Sequence, residues 1–237
     1  MTKRAKNRHL FRLFEYIQPF INYSMPLEEN IAAGKVMVIA PHEDDEAIGC
    51  AGTIIKYARE GGHVETVFCT HENASRRKEA ENSAAIMGSK KNHFLQYPLR
   101  SLSNESGFQD SLAVLFNQIE PDIVFMPFWF DNHKDHQAVS KALIKISKKI
   151  SLDFMVYAYP VWLPIYPNVL IDISDEWKAK KAAIECYKTQ LTGRDYVRIA
   201  KASAEYWAEV KKPKSGYFEA FFRASAKEYI RLGKKIF

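Results

Sequence analysis

The sequence has few cysteines and no long apolar run, and each absence excludes a class of protein. Its 237 residues include three cysteines, an odd number without a C-x-x-C pair, so neither a disulfide framework nor a cysteine-ligated zinc site is expected. No apolar run reaches the roughly 18 residues that a membrane-spanning helix needs. The basic N-terminus lacks the apolar core and cleavage site of a signal peptide, so the expected location is cytoplasmic.

Positive charge is in excess. Lysine and arginine number 34 against 28 aspartates and glutamates, a formal net charge of +6 that favours anionic partners. Much of the excess lies at the chain ends, notably in a basic N-terminal extension, residues 1–33, where basic side chains interleave with leucines and phenylalanines. This extension could make a peripheral contact with an anionic membrane, or dock on the domain with its basic face in solvent. Nucleic acid is not an expected partner, and the oligomeric state is left open.

Short apolar runs alternate with segments of helical spacing along most of the chain. They predict strands at 36–40, 64–70, 93–97, 123–126, 154–159 and 169–173, and helices at 46–59, 75–87, 109–119, 135–150, 175–188, 194–210 and from Ala220 to the end. This order predicts an α/β fold: a Rossmann-like, doubly wound, mostly parallel sheet with helices on both faces and a helical C-terminal elaboration. No repeat or linker interrupts it, and residues 1–237 are expected to form a single domain.

Histidines and carboxylates follow two of the predicted strands. His42-Glu43-Asp44-Asp45-Glu46 comes after the first strand and His133-Lys134-Asp135-His136 after the fourth. In a doubly wound sheet these two strands are commonly neighbours, and ligands bind at their carboxyl ends. Catalytic zinc takes three ligands of these residue types, so the two motifs predict one metal site. The alternative is that the aspartates only cap helices.

Together the motifs resemble the hallmarks of the PIG-L/LmbE family of zinc-dependent N-deacetylases, (A/P)HPDDE and HxDH, with Glu43 in place of the usual proline. Similarity continues at residues 76–88, 187–190 and 216–221, so the resemblance covers roughly residues 34–222. It implies that the chain hydrolyses the N-acetyl group of an amino sugar and releases acetate. The substrate would be a free sugar, a nucleotide-sugar or a lipid-linked sugar.

The resemblance also implies roles for single residues. Three would bind Zn²⁺, or Fe²⁺, which suits the same ligands: His42, Asp45 and His136. Asp44 would act as general base. His133 would stabilise the oxyanion or protonate the leaving amine, and Asp135 would orient and charge His133. Glu46 would support the loop rather than react.

Three further residues are candidate substrate contacts: Arg76, Arg100 and Trp129. Arg76 matches a substrate-contacting position of the family, although a solvated helix charge is the alternative. Arg100 stands near the place of a family aspartate that holds the sugar, and could bind a phosphate or carboxylate instead. Trp129, between two phenylalanines, could form a sugar platform, whereas core packing is the usual role of such a run. Three other histidines match no ligand position: His63, His71 and His93.

Two other functions stay open at this point. A metal-dependent phosphoesterase also uses aspartates and histidines, but its two-metal site needs more ligands than the two motifs supply. A non-catalytic Rossmann-type nucleotide-binding module would need a glycine-rich first turn, and Gly49-Cys50-Ala51-Gly52 is not a complete G-x-G-x-x-G.

Overall fold

The computed structural model describes residues 26–28, 34–212 and 216–237, so most of the N-terminal extension, with its predicted membrane contact, lies outside the described residues. The strands are β1 Leu27–Glu28, β2 Lys35–Ala40, β3 His63–Thr70, β4 Lys91–Tyr97, β5 Ile123–Pro127, β6 Met155–Tyr159, β7 Val169–Asp172 and β8 Phe218–Ser225. The helices are α1 Asp45–Arg59, α2 Ala74–Ile86, α3 Phe108–Ile119, α4 Lys134–Ile146, α5 Trp177–Glu185, α6 Lys188–Leu191, α7 Tyr196–Lys211 and α8 Ala226–Ile236. Within the described ranges, no helix is long and apolar enough to span a bilayer.

The described strands form one sheet in the order β1-β7-β8-β6-β5-β2-β3-β4. β8 runs antiparallel to both of its neighbours, while the other paired strands are parallel. The chain moves outward from β2 to β4 and then returns to β5 on the other side of β2. The predicted mostly parallel sheet is confirmed, and so is the adjacency of the first and fourth predicted strands, since Val36 lies opposite Ile123.

The side chains of β2 pack against helices on both faces of the sheet. Its side chains alternate between faces, and Val36 and Val38 enter an apolar cluster with α1, α2 and α5, whereas Met37 and Ile39 enter a second cluster with α3, α4 and α8. A strand buried on both sides needs a continuous apolar run rather than an alternating one. This is the pattern from which the sequence predicted a parallel sheet.

The predicted helix from Ala220 to the C-terminus is wrong in its first part. Residues 218–225 form β8, which pairs with β6 and β7, and the helix begins only at Ala226, where Ser225 and Glu228 form a capping box. Phe221 packs in one core cluster and Ala224 in the other, so both faces of the strand are apolar. Such a run lacks the alternation that marks a strand, and helix and strand then look alike in sequence.

A buried ion pair joins β8 to the middle of α1. The Lys180 ammonium lies 2.5 Å from Glu219 Oε1 and donates to the carbonyl oxygen of Ile48 at 2.8 Å. The Glu219 carboxylate also accepts the backbone N–H groups of Gly52, at 2.9 Å, and Thr53, at 2.8 Å. In a regular helix the Gly52 N–H and the Ile48 carbonyl would bond to each other. The ammonium of Lys180 and the carboxylate of Glu219 therefore bond to each other and to the backbone of α1.

We expect Lys180→Met to lower the free energy of unfolding by about 3–5 kcal/mol, because it leaves the Glu219 carboxylate buried without its cation. The neighbouring Lys181 supplies the control, since its contact with Glu185 at 3.5 Å is half-exposed. Lys181→Met should cost less than about 1 kcal/mol. Urea denaturation at neutral pH compares the two variants, and equal losses would contradict a structural role for the buried pair.

Candidate metal centre and active site

The chain reversal between β2 and β5 brings the two histidine motifs together. His42 follows β2, and His133 and His136 lie at the start of α4, directly after β5. The ring centroid of His42 is 4.5 Å from that of His133 and 5.1 Å from that of His136. Each of these histidines offers a nitrogen within 4.8 Å of the other two, a group able to hold a metal ion.

A tighter donor set includes Asp45 instead of His133. Asp45 Oδ2 lies 3.1 Å from His42 Nδ1 and 3.1 Å from His136 Nε2. The two nitrogens are 3.2 Å apart. Ligands about 2.0–2.1 Å from a tetrahedral zinc ion lie about 3.3–3.4 Å from one another, so this triangle has the size that such an ion requires. The residues present therefore fit a metal ion.

Each histidine of this triangle has a second carboxylate next to its other ring nitrogen. His42 Nε2 lies 3.1 Å from Asp135 Oδ2, and His136 Nδ1 lies 3.0 Å from Asp131 Oδ1. Ligand histidines commonly donate their second ring N–H to a carboxylate, which fixes the tautomer and the ring orientation. Although burial opposes protonation of both rings, Asp45 with Asp135 raises the pKa of His42 to about 9, and Asp45 with Asp131 raises that of His136 to about 10. The centre thus favours positive charge.

Asp135 is not the partner of His133 that the sequence predicted. Its carboxylate contacts His42 and also accepts the backbone N–H groups of Arg100, at 2.7 Å, and Leu102, at 3.1 Å. What reaches His133 is the backbone N–H of Asp135, which donates to His133 Nδ1 at 3.2 Å. The reason is local geometry: His133 is the N-cap of α4, and the side chain of Asp135 points from the first turn towards the loop after β2.

Asp44 occupies the N-cap position of α1, but its side chain makes no capping hydrogen bond. The capping alternative therefore does not account for this carboxylate, which instead lies 3.3 Å from the Arg76 guanidinium. Its φ of 150° is rare for a residue with a side chain and typically costs about 1–3 kcal/mol. The Asp44 N–H donates to Glu46 Oε2 at 3.2 Å, as the predicted supporting role of Glu46 requires. Burial and then the charge of Asp45 raise the pKa of Asp44 to about 7.

Comparison with known sequences identifies the family. The model of the family described as "PIG-L: GlcNAc-PI de-N-acetylase" matches residues 37–147. Diacetylchitobiose deacetylase of Thermococcus kodakarensis is 31% identical over 186 aligned positions, and the match covers 66% of this chain and 70% of that protein. The chain belongs to the PIG-L family. The predicted family is thus confirmed.

Solved structures agree with this assignment. A conserved protein from Thermus thermophilus has a TM-score of 0.71 at 26% identity, over 79% of this chain and 93% of its own. N,N'-diacetylchitobiose deacetylase from Pyrococcus horikoshii shares the fold with a TM-score of 0.68 at 24% identity, over 97% of this chain and 95% of its own. These two structures show the shared fold, while the family and the Thermococcus kodakarensis relative confirm the predicted enzyme class, a hydrolase of amide bonds.

Glu43 is the residue by which this PIG-L chain departs from the family motif. It is buried, and its carboxylate lies 3.4 Å from His71 Nδ1 and 3.7 Å from Arg76 Nε. Burial raises the pKa of Glu43, while His71 and Arg76 oppose that rise. The Arg76 guanidinium also donates to the Glu43 carbonyl oxygen. His71, which matches no ligand position of the family, therefore contacts the loop that carries Asp44 and Asp45.

The three predicted substrate contacts occupy different environments. Arg76 is buried and its guanidinium already meets three acidic residues of this region, including Glu72 at 3.0 Å. Arg100 is exposed next to the centre, where its backbone N–H holds Asp135. Trp129 is 4% exposed and stacks on Tyr229 with 4.1 Å between ring centroids, which argues against a sugar platform at that ring. Contacts of Arg76 and Arg100 with substrate stay predictions.

Two residues near the centre had no predicted role. Tyr187, in the segment 187–190 that is similar to the family, donates to Glu46 Oε1 and is fully buried. Trp162 donates its backbone N–H to Asp131 Oδ2 at 3.0 Å, and its ring meets that of Tyr196 edge-on with 5.9 Å between centroids. The family motif could have identified Tyr187, whereas a backbone contact such as that of Trp162 leaves no mark in a sequence.

We expect Asp131→Asn to weaken binding of a divalent metal ion by about 10–100-fold, because the variant keeps the size of the side chain but loses the charge behind His136. Competition with a chromophoric chelator at neutral pH measures the dissociation constant. Asp153→Asn, at an exposed aspartate in another loop, is the control and should leave it unchanged. Equal affinities in the two variants would contradict the role of Asp131.

Proposed function

We propose that His42, Asp45 and His136 hold one zinc ion and that the chain removes the acetyl group from an N-acetylated amino sugar. The observation that carries this proposal is the donor triangle together with the Asp44 carboxylate beside it. That carboxylate does not cap α1 and does not belong to the triangle. A zinc ion held there would acidify a water molecule and polarise a carbonyl oxygen. Fe²⁺ suits the same ligands, and elemental analysis of the purified protein distinguishes the two metals.

Asp44 is proposed to take the proton of the attacking water and to deliver it to the leaving nitrogen. The water oxygen forms the new C–O bond, the C–N bond breaks, and the amine leaves with the proton that Asp44 received. The elevated pKa of Asp44 suits this exchange, because a base that must also return its proton works best near neutral pH. Arg76, 3.3 Å from the carboxylate, would orient it.

His133 is proposed to act as a neutral hydrogen-bond donor to the substrate carbonyl oxygen. Its Nδ1 accepts the backbone N–H of Asp135, so the neutral ring carries its proton on Nε2. Burial, and then the charges of His42 and His136, lower the pKa of His133 and favour this neutral state. A donor placed in advance at the carbonyl oxygen stabilises the negative charge that develops there. This role fits the contacts better than protonation of the amine by His133.

The sugar is the open part of the proposal. The relative from Thermococcus kodakarensis is named for diacetylchitobiose, so an N-acetylglucosamine unit is the first candidate. Acetate release should be measured over N-acetylglucosamine, diacetylchitobiose, a nucleotide-linked and a lipid-linked N-acetylglucosamine. Release from at least one member is the expected result. Phosphate release from simple phosphate esters without any acetate release would favour the phosphoesterase alternative instead.

Asp44→Asn should lower kcat for acetate release by at least about 100-fold, because the amide cannot accept the proton of water. The variant should still bind one metal ion per chain, since Asp44 lies outside the donor triangle. Asp110→Asn, at an exposed ion pair with Lys149, serves as the matched control and should keep wild-type kcat. An active Asp44→Asn enzyme would exclude Asp44 as the base, and loss of the metal would place Asp44 among the ligands.

A further inference from the structure

The outer faces of α4 and α8 carry an excess of positive charge that has no part in the proposed chemistry. Residues 134–149, which include α4, and residues 226–236 of α8 contain nine basic side chains and two acidic ones, an excess of seven, whereas the excess over the whole chain is six. The other residues are therefore nearly neutral as a set. All nine basic side chains are exposed, and together they form what we call the basic face: Lys134, Lys141, Lys145, Lys148, Lys149, Lys227, Arg231, Lys234 and Lys235.

α4 and α8 lie on the same side of the sheet and contact one another. Both contribute to the same apolar cluster, α4 through Leu143 and α8 through Tyr229. Ser140 Oγ lies 3.2 Å from the hydroxyl oxygen of Tyr229, and the Lys141 ammonium lies over the ring of Phe237, 4.7 Å from its centroid. The residues opposite these contacts point away from the sheet, so the basic face covers one side of the molecule.

Most of the basic face has no carboxylate partner. Within the ranges that the structure describes, Lys149 is the one member of the face that forms an ion pair, with Asp110 at 2.6 Å. Charges of one sign that are held close together repel one another, and an anionic surface that approaches them relieves this repulsion. The basic face can therefore bind an anionic partner without first breaking internal ion pairs.

Two apolar side chains are exposed among these cations. Ile236 is 37% exposed and Phe237 is 45% exposed, and both directly follow Lys235 in the chain. Phe237 also lines a depression of about 260 Å³ together with Lys141 and Lys145. Proteins that bind to the surface of a membrane combine these two elements, because the cations are attracted to anionic lipid headgroups while apolar side chains enter the headgroup region.

We propose that the basic face binds the surface of an anionic lipid bilayer. Eight of its nine members are lysines, which act as point charges towards any phosphate surface, whereas recognition of nucleic acids relies strongly on the bidentate contacts of arginine. The exposed Ile236 and Phe237 have a use at a bilayer and none at a soluble polyanion. The inference is independent of the proposed deacetylase function, because no residue of the donor triangle belongs to the basic face.

Sedimentation with lipid vesicles is the first test. The full chain should sediment with vesicles of phosphatidylcholine and phosphatidylglycerol and stay in solution with vesicles of phosphatidylcholine alone. The Debye length falls from about 10 Å at 0.1 M salt to about 3 Å at 1 M, so binding should weaken steeply as salt is added. Equal binding to both kinds of vesicle, or binding to neither, would overturn the proposal.

Two triple variants locate the binding surface. Each basic residue near an anionic membrane is worth about fivefold in binding, so replacement of Lys141, Lys145 and Lys148 by glutamine should weaken vesicle binding by at least about tenfold. The control variant replaces three exposed lysines of α5 and α7, which pack on the other face of the sheet, and should bind like the wild type: Lys178, Lys181 and Lys201. Equal losses in the two variants would mean that only net charge matters, and the proposal would fail.

An apolar substitution distinguishes a bilayer from a soluble polyanion. Phe237→Ser keeps every charge of the basic face but removes an aromatic ring that can enter the headgroup region, so vesicle binding should weaken by about three- to tenfold. The dependence on salt should stay the same. Tyr206, on α7, is 59% exposed and supplies the control, since Tyr206→Ser should bind like the wild type. Wild-type binding by Phe237→Ser would exclude insertion and overturn the bilayer as partner.

Competition with double-stranded DNA completes the test. At equal concentrations of phosphate groups and equal salt, DNA should fail to displace the wild type from vesicles that contain phosphatidylglycerol. Displacement by DNA would show that the basic face prefers a nucleic acid, and the proposal would fail. Thermal unfolding of the variants in solution should match that of the wild type, because all of the substituted side chains are exposed. A loss of vesicle binding at unchanged thermal stability then belongs to the basic face itself.

Discussion

The contact of one carboxylate with two histidines from distant parts of the chain is the constraint on which the site depends. Asp45 begins α1, His42 lies in the turn before it, and His136 belongs to α4 on the other side of the sheet reversal. Although burial opposes its ionisation, the two histidines hold the pKa of Asp45 far below its usual range. The charges of the centre are thus mutually dependent, and removal of any one leaves the others buried without compensation.

The positions of strands β2 to β7 and the meeting of the two motifs could be predicted from sequence, because both follow from short-range patterns. A continuous apolar run predicts a strand covered on both faces, and strand order then brings His42 and His133 to one edge. The partner of Asp135 could not be predicted, because it depends on the direction of a side chain in the first helical turn. The sequence left open whether Trp129 packs in the core or forms a sugar platform, since its burial depends on Tyr229, which lies far along the chain in α8.

The substitution of glutamate for the family proline at position 43 changes how Asp44, the proposed base, is supported. A proline would stiffen the loop through its backbone, whereas Glu43 adds a buried carboxylate that competes with Asp44 for Arg76. His71 lies close enough to share the charge of Glu43, so Arg76 remains in contact with Asp44. The loop is thereby held by side-chain electrostatics and by the hydrogen bond from the Asp44 N–H to Glu46, which together offset the strained φ of Asp44.

The proposed chemistry and its supports come from different parts of this chain. The residues proposed to cleave the amide come from the two loops after β2 and β5, where sequence motifs are short and dense. The backbone N–H of Trp162, in the loop after β6, and the hydroxyl group of Tyr187, just before α6, reach the carboxylates of Asp131 and Glu46 from distant parts of the chain. A motif can therefore identify the chemistry proposed for this protein, whereas its substrate must be inferred from the three-dimensional surroundings of the site.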